Sequence, residues 1–267
     1  MPGNDAVNLR SRRPRRAATV LSLLLAGALV GAVPAAPVPA APAQEDAYAE
    51  RNPDPWESFN RGVFRFNMAV DKAVLRPVAR GYVRVTPEPV RQGVSNFFDN
   101  LRMPIVVVNS LLQGKVRESG SGTGRFLVNT TVGLLGVFDV ATKMGLERHE
   151  EDLGQTLAVW GIQDGPYLVL PLLGPSTVRD GVGLVGDFFL DPVYYVDDRE
   201  VRYWARGIRI LDTRANLLHL DRMIDTAFDP YLFVRDAYLQ RRQFLIYDGD
   251  PPPVDYYDIE PPDETSR

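Results

Sequence analysis

The sequence predicts an all-α protein with a single main domain. Three observations lead there. Apolar residues recur at intervals of three and four along most of the chain. Strand-like alternation is scarce, apart from a short hairpin expected near Asp164-Gly165. No segment repeats at a fixed period.

The first 43 residues come before that domain. Arg10, Arg12, Arg13, Arg15 and Arg16 precede an apolar run from Ala17 to Val33, and a Pro/Ala stretch ends in Ala41-Pro42-Ala43. A basic start, an apolar middle and a small-residue site predict a cleavable export signal over 1–43, cut near Ala43. Sec export is favoured over Tat, although Ser11-Arg12-Arg13 faintly resembles a twin-arginine signal. Cleavage removes five of 30 basic residues and one of 34 acidic ones, leaving 25 against 33. A net charge near −8 argues against nucleic acid as a partner. The chain has two His and no Cys, which removes disulfides and most metal-site chemistry.

Residues 44–53 read as a polar leader, and the helical domain is expected over 54–247. Asp54-Pro55-Trp56-Glu57 resembles a helix start with Asp54 as the N-cap. Trp56, Phe59, Val63, Phe66, Val70 and Val74 then share one face, while Phe64, Met68 and Leu75 form a second apolar stripe. An ordinary soluble helix needs only one. Arg76-Pro77 is expected to interrupt that helix and Thr86-Pro87 to start the next, with Val90, Val94, Phe97, Phe98 and Leu101 on one stripe. Pro104 opens PIVVVNSLLQG, in which Ile105, Val106, Val107, Val108, Leu111 and Leu112 cover most of the circumference and leave Asn109, Ser110 and Gln113 as a narrow polar edge. Val107, Val108, Leu111 and Leu112 are the candidate membrane-facing residues. Glycines 120, 122 and 124 are expected to precede a helix from Phe126 to Val140 that Gly133 and Gly136 interrupt. Further helices are expected from Glu200 to Met223 and from Asp229 to Tyr247. From Asp248 onward, five prolines and seven acidic residues against one Arg predict a disordered tail over 248–267.

Enzyme chemistry finds little to use. The Gly120–Gly124 run follows no strand and lacks a phosphate loop's Gly-Lys-Ser/Thr ending, so helix packing explains it better. No G-x-S-x-G elbow occurs, and His149 and His219 do not make a metal pair. His149 to Asp152 reads as a polar turn with Asp152 as a helix N-cap. No enzyme activity, metal or cofactor is expected.

The apolar surplus leaves two readings: an unusually apolar soluble helical domain, or a chain lying in one leaflet with acyl chains against its outer surface. No run in the mature chain reaches the length of a spanning helix. Arg202, Arg206 and Arg209 form a basic stripe, and Arg179-Asp180 and Arg235-Asp236 sit in apolar surroundings. Such charges read either as a solvated face or as a polar lining for lipid head groups.

DPWESFNRGVFRFN (54–67), RPVARGYVRVTPEPVRQGVSNFFDNL (76–101), VNSLLQG (108–114), RFLVNTTVGLLGVFDVA (125–141), LGQTLAVWGIQDGPYLVLPLLGPSTVRD (153–180) and DPYLFVRDAYLQRRQF (229–244) resemble, in order, the motifs of the MlaA (VacJ) family of outer-membrane phospholipid-trafficking proteins. The resemblance implies an all-helical, ring-like domain embedded in the periplasmic leaflet of the outer membrane and associated with a trimeric porin. It implies non-enzymatic removal of phospholipids mislaid in the outer leaflet through a polar central channel. They would pass to a periplasmic carrier resembling MlaC, which feeds an inner-membrane ATP-driven transporter. By position it makes Gly133 and Gly136, with Arg179 and Asp180, the candidate channel and hinge residues. Asp54, Pro55, Phe59, Asn60, Arg61, Gly165, Pro166, Tyr167, Asp229, Pro230, Tyr231, Arg235 and Asp236 match family motifs. Many relatives are lipoproteins held by an acylated Cys, an anchor not expected of a sequence without cysteine. A porin-binding adaptor that conducts no lipid is the alternative.

Overall fold

The computed structural model describes residues 53–252. The expected export signal, the leader up to residue 52 and the tail from 253 lie outside the described residues. The described chain is helical apart from one two-stranded antiparallel hairpin. The all-α expectation holds, and no described helix is long and apolar enough to cross a membrane.

Helix α1 (Glu57–Val70) begins with Trp56 at the cap position, so Asp54 is not its N-cap residue. The Asp54 carboxylate instead turns inward, because Asn60 and Tyr231 both donate to it. Pro77 does not break the chain as expected. A π-helical stretch (Asp71–Leu75) carries α1 directly into α2 (Arg76–Val85), and the Arg76 N–H reaches the Asp71 carbonyl five residues back. The wider turn accommodates a proline that has no N–H and would crowd an α-helical carbonyl.

Pro104 is likewise absorbed: α3 (Glu88–Leu112) is one helix of 25 residues, not two. The glycine run lies inside α4 (Val116–Thr131) rather than before it. A Cβ on Gly122 would stand 3.1 Å from Val107, which shows how closely α3 and α4 approach. Helix α4 stops at Thr131, short of the expected Val140. Residues 132–138 form turns, with Leu134, Leu135 and Gly136 all at positive φ.

After the short α5 (Val140–Lys143), Asp152 caps α6 (Leu153–Val159) by accepting the Gln155 N–H. Strands β1 (Tyr167–Leu170) and β2 (Gly174–Thr177) pair with Leu170 opposite Gly174. The hairpin therefore turns at Pro171–Leu173, not at Asp164-Gly165. Helix α7 (Val178–Phe188) leads to a 3₁₀ turn (Pro192–Tyr195) and α8 (Arg199–Asn216). The expected Glu200–Met223 helix is thus divided, its last part forming a 3₁₀ turn (Leu218–Leu220) and α9 (Asp221–Thr226). Asp229 caps α10 (Pro230–Ile246), with Pro230 in its first turn. The first tail residues are held to the body: Lys115 donates to Asp248, and the Gly249 N–H to the Phe244 carbonyl.

The interior decides the character of the fold. Among the described residues, 20 buried side chains are polar or charged and 10 are apolar, while 40 large hydrophobics are exposed. Water-soluble domains show the opposite balance, with Arg and Asp almost never fully buried unless paired.

Candidate functional site

Helix α7 shows the inversion most simply. Arg179, Asp180, Gly183 and Asp187 share its buried face, while Val178, Val182, Val185 and Phe189 are exposed on the other. Glycine at 154 and 183 permits the close crossing of α6 and α7, because a Cβ on Gly183 would overlap the Gly154 backbone. Arg242 of α10 reaches into this crossing. It donates to Asp152 at 2.6 and 3.1 Å and to Asp180 at 2.8 Å. Arg179 also donates to Asp180, at 3.1 Å, and Tyr238 does so at 2.7 Å.

Burial alone would raise the Asp152 pKa, but the Arg242 hydrogen bonds and charge outweigh it and hold the carboxyl at about 2. Asp180 is also driven below its usual range: burial opposes ionisation, and Arg242, Arg179 and Tyr238 prevail. A buried guanidinium with two carboxylates is tolerated only with this degree of hydrogen bonding.

The network continues along α3. Asp187 accepts from Asn109 at 2.9 Å and from the Leu153 N–H at 3.0 Å; burial raises its pKa, and among the described residues no cation forms an ion pair with it. Thr156 donates to Asn109, and Gln113 donates to Glu151. Burial pushes Glu151 up, even though Lys115 sits 2.9 Å away. The narrow polar edge of PIVVVNSLLQG thus points inward: Asn109 and Ser110 are buried, while Leu111 and Leu112 are exposed. Val107 and Val108 are half-buried.

A polar pocket opens between α3 and α4, lined by Asn96, Asp99, Asn100, Met103, Arg125, Asn129, Asp139 and Arg148. Arg125 holds Asp139 with two bonds near 3.0 Å, and Asn129 donates to the same carboxylate. Burial disfavours the Asp139 charge, but Thr142, Asn129 and Arg125 together bring its pKa to about 2. Gly136 packs on Asn100 so closely that any Cβ would overlap it, and a Cβ on Gly133 would strike the Phe138 carbonyl. Close approach therefore requires glycine at both positions.

Three motif segments far apart in sequence meet at one cluster. Asn60 donates to Asp54 at 2.8 Å and to the Tyr167 carbonyl at 3.0 Å, and its oxygen accepts the Val169 N–H. Asn67, two turns further along α1, holds Leu170 and Leu172 in the same way. Arg61 bridges Glu57 and Asp229 and lies over the Tyr231 ring. Arg235 stands 3.8 Å from Asp54 and bonds Asp236. Pro166 accepts the Val178 N–H beside Gly165, which has positive φ. Pro55 is exposed, and so are Trp56, Phe59, Phe66 and Val74 of the first apolar stripe, while its Val63 packs against the apolar core.

The structure does not unite every singled-out residue. Arg179 and Asp180 belong to the Arg242 network, whereas Gly133 and Gly136 border the α3/α4 pocket. The basic stripe of α8 is largely engaged, since Arg209 is paired with Asp191 and Arg202 donates to the Val196 carbonyl. Sequence reasoning missed the Asp152–Arg242–Asp180 contact, the Arg125–Asp139 pair, and a further network of Arg76 and Arg214 with Asp71 and Asp221. A lone Asn109 amid valines and a lone Arg125 in mid-helix were local signs of buried polarity, beside the Arg179-Asp180 pair.

Helices with a hydrogen-bonded charged interior and an apolar exterior define a class of helical protein whose usual polarity is inverted. The model of the MlaA lipoprotein family matches residues 52–245. The intermembrane phospholipid transport system lipoprotein MlaA of Escherichia coli is 38% identical over 202 residues, covering 74% of this chain and 80% of that one. The protein of the same name from Haemophilus influenzae is 33% identical over 205 residues, 75% of this chain and 82% of its own. An uncharacterized protein of Rickettsia prowazekii is 36% identical over 192 residues, 71% and 76% of the two chains. A solved chain described under "Structural basis for maintenance of bacterial outer membrane lipid asymmetry" superposes with a TM-score of 0.65 at 36% identity, covering 72% of this chain and 98% of that one. The chain belongs to the MlaA lipoprotein family.

Proposed function

We propose that this chain is a non-enzymatic phospholipid transport component that maintains lipid asymmetry of the outer membrane. It lies in the periplasmic leaflet, takes up phospholipids mislaid in the outer leaflet, and passes them through a polar interior route to a soluble periplasmic carrier resembling MlaC. A trimeric porin is its membrane partner, and an inner-membrane ATP-driven transporter receives the lipid from the carrier. The observation that carries this reading is the inverted polarity, with 20 buried polar side chains and 40 exposed large hydrophobics among the described residues. Exposed apolar area on that scale is stabilised by acyl chains at roughly 25 cal/mol per Å². A polar interior can meanwhile receive charged head groups. Gly133 and Gly136 lie in the 132–138 turns and pack against Asn129 and Asn100 of the α3/α4 pocket, with Gly136 at positive φ, which supports 132–138 as the segment that shifts to pass a head group. The names of the relatives support the substrate class. The exposed apolar faces, together with the porin, retain the protein at the membrane in this reading.

The test is extraction of lipid from the purified full chain, followed by transfer of a labelled phospholipid from vesicles to a soluble acceptor protein. Bound phospholipid and chain-dependent transfer support the proposal. A lipid-free chain that still binds a trimeric porin makes it an adaptor instead, and release of free fatty acid makes it a lipase.

A further inference from the structure

Proceeding along the chain from α7, the exposed residues change in chemistry. Val178, Val182, Leu184 and Val185 are aliphatic. At the C-terminal end of α7 the exposed side chains become aromatic: Phe188, Phe189, Tyr194 and Tyr195, with Trp204 following on α8. The first four make edge contacts, with ring centroids 4.7 Å apart for Phe188 and Tyr194 and 5.2 Å for Tyr194 and Tyr195. Arg206 lies over the Phe188 ring at 4.9 Å and has no carboxylate partner among the described residues. Between the tyrosines and Trp204, residues Asp197, Asp198, Arg199 and Glu200 are all exposed. Aliphatic, then aromatic with a cation, then charged is the order met on leaving the hydrocarbon of a monolayer through its head groups into water.

The dimension agrees. Ten residues separate Val178 from Phe188, about 15 Å of helix at 1.5 Å per residue. The hydrocarbon of a single leaflet is about half of the 30 Å bilayer core, the same depth.

We infer that the aromatic group at Phe188–Tyr195 and Trp204 marks the level at which this protein meets phospholipid head groups, with α7 descending from there into the acyl chains. The occupant of the surface is a phospholipid monolayer. The tyrosine and tryptophan rings sit at its polar boundary, and the Arg206 guanidinium lies within reach of lipid phosphates. This rests on the membrane-embedded reading above and adds an orientation to it.

Depth-dependent fluorescence quenching tests the inference. The full chain carrying Trp56→Phe and Trp160→Phe, with Trp204 as its only tryptophan, is reconstituted into phosphatidylcholine vesicles. The lipids are brominated either near the glycerol or near the chain ends. A second chain adds Trp204→Phe and Val182→Trp. Trp204 should lose more emission to the shallow bromines, and the tryptophan at 182 more to the deep ones. Equal depths, or the reverse order, overturn the inference while leaving the protein membrane-embedded. No quenching of either probe overturns both the inference and the embedded reading. Should the double-Phe background fail to fold, the emission difference between the parent and Trp204→Phe, a change at an exposed position, reports the same depth.

Discussion

Two buried regions lie side by side in this molecule and are held by opposite means. Around Tyr167, Val169 and Tyr231, with Val63, Phe64 and Leu232 against them, the chain builds a small apolar core. Tyr167 and Tyr231 meet edge to face at 6.2 Å, and the Tyr231 hydroxyl donates to Asp54. At the α6/α7 crossing the same depth is occupied by Arg242, Arg179, Asp180 and Asp187, with the half-buried Asp152 against Arg242. The first region hides its apolar surface within itself. The second spends its inward face on charge and turns its valines outward. The difference teaches that burial and hydrophobicity are separate variables in this fold, joined in one half and opposed in the other.

The largest effect should come from breaking the polar region. Arg242→Met leaves the half-buried Asp152 and the buried Asp180 without their main cation, and should cost about 3–5 kcal/mol in denaturant unfolding of the detergent-solubilised chain. In the apolar region, Tyr231→Phe removes one donor and retains the ring packing. It should cost about 1–3 kcal/mol by the same measurement.

Acid should separate the two regions as well. Asp152 and Asp139 are held at about 2 against an ordinary value of 3.8. A depressed folded-state value means that their stabilisation is fully present above about pH 4 and is lost as the pH falls towards 2. Hydrogen exchange followed down this range should therefore show the Leu153 and Asp180 amides opening before the Val169 amide. Simultaneous opening would mean that the two regions are one cooperative unit.

The smallest change in folded stability, within about 0.5 kcal/mol, is expected for Leu111→Asp or Val182→Asp, because both residues are exposed. Their effect belongs to partitioning, and membrane fractionation should show more of either variant in the soluble periplasmic fraction. Unchanged retention would show that these faces do not touch lipid.

Local chemistry was read well from the chain. Asp152, read as an N-cap, caps its helix, and the last helix begins at Asp229 as its span predicted. Several of the readings that failed concern tertiary context. Pro77 and Pro104 resemble helix breaks, yet a π-turn absorbs one, and packing against α4 and α8 accompanies an unbroken helix through the other. Asp54 has the surroundings of an N-cap, but Asn60 and Tyr231 recruit it, the latter 177 residues away. The family-motif residues of the Asp54, Tyr167 and Tyr231 segments were all named from the sequence, and their convergence was not visible there. The Arg242 site was invisible for the same reason, since its carboxylates lie 62 and 90 residues back.

By itself the amino-acid order determined that this chain forms helices, that most of them carry two unlike faces, and that apolar surface exceeds what one small core can hide. Periodicity reports the angle between faces and is silent on which of them points in. That choice came only with the tertiary structure, because a buried charge is tolerable only when a partner from a distant segment arrives beside it. Once Arg242, Asp152 and Asp180 had met, the valines of α7 had nowhere to go but out.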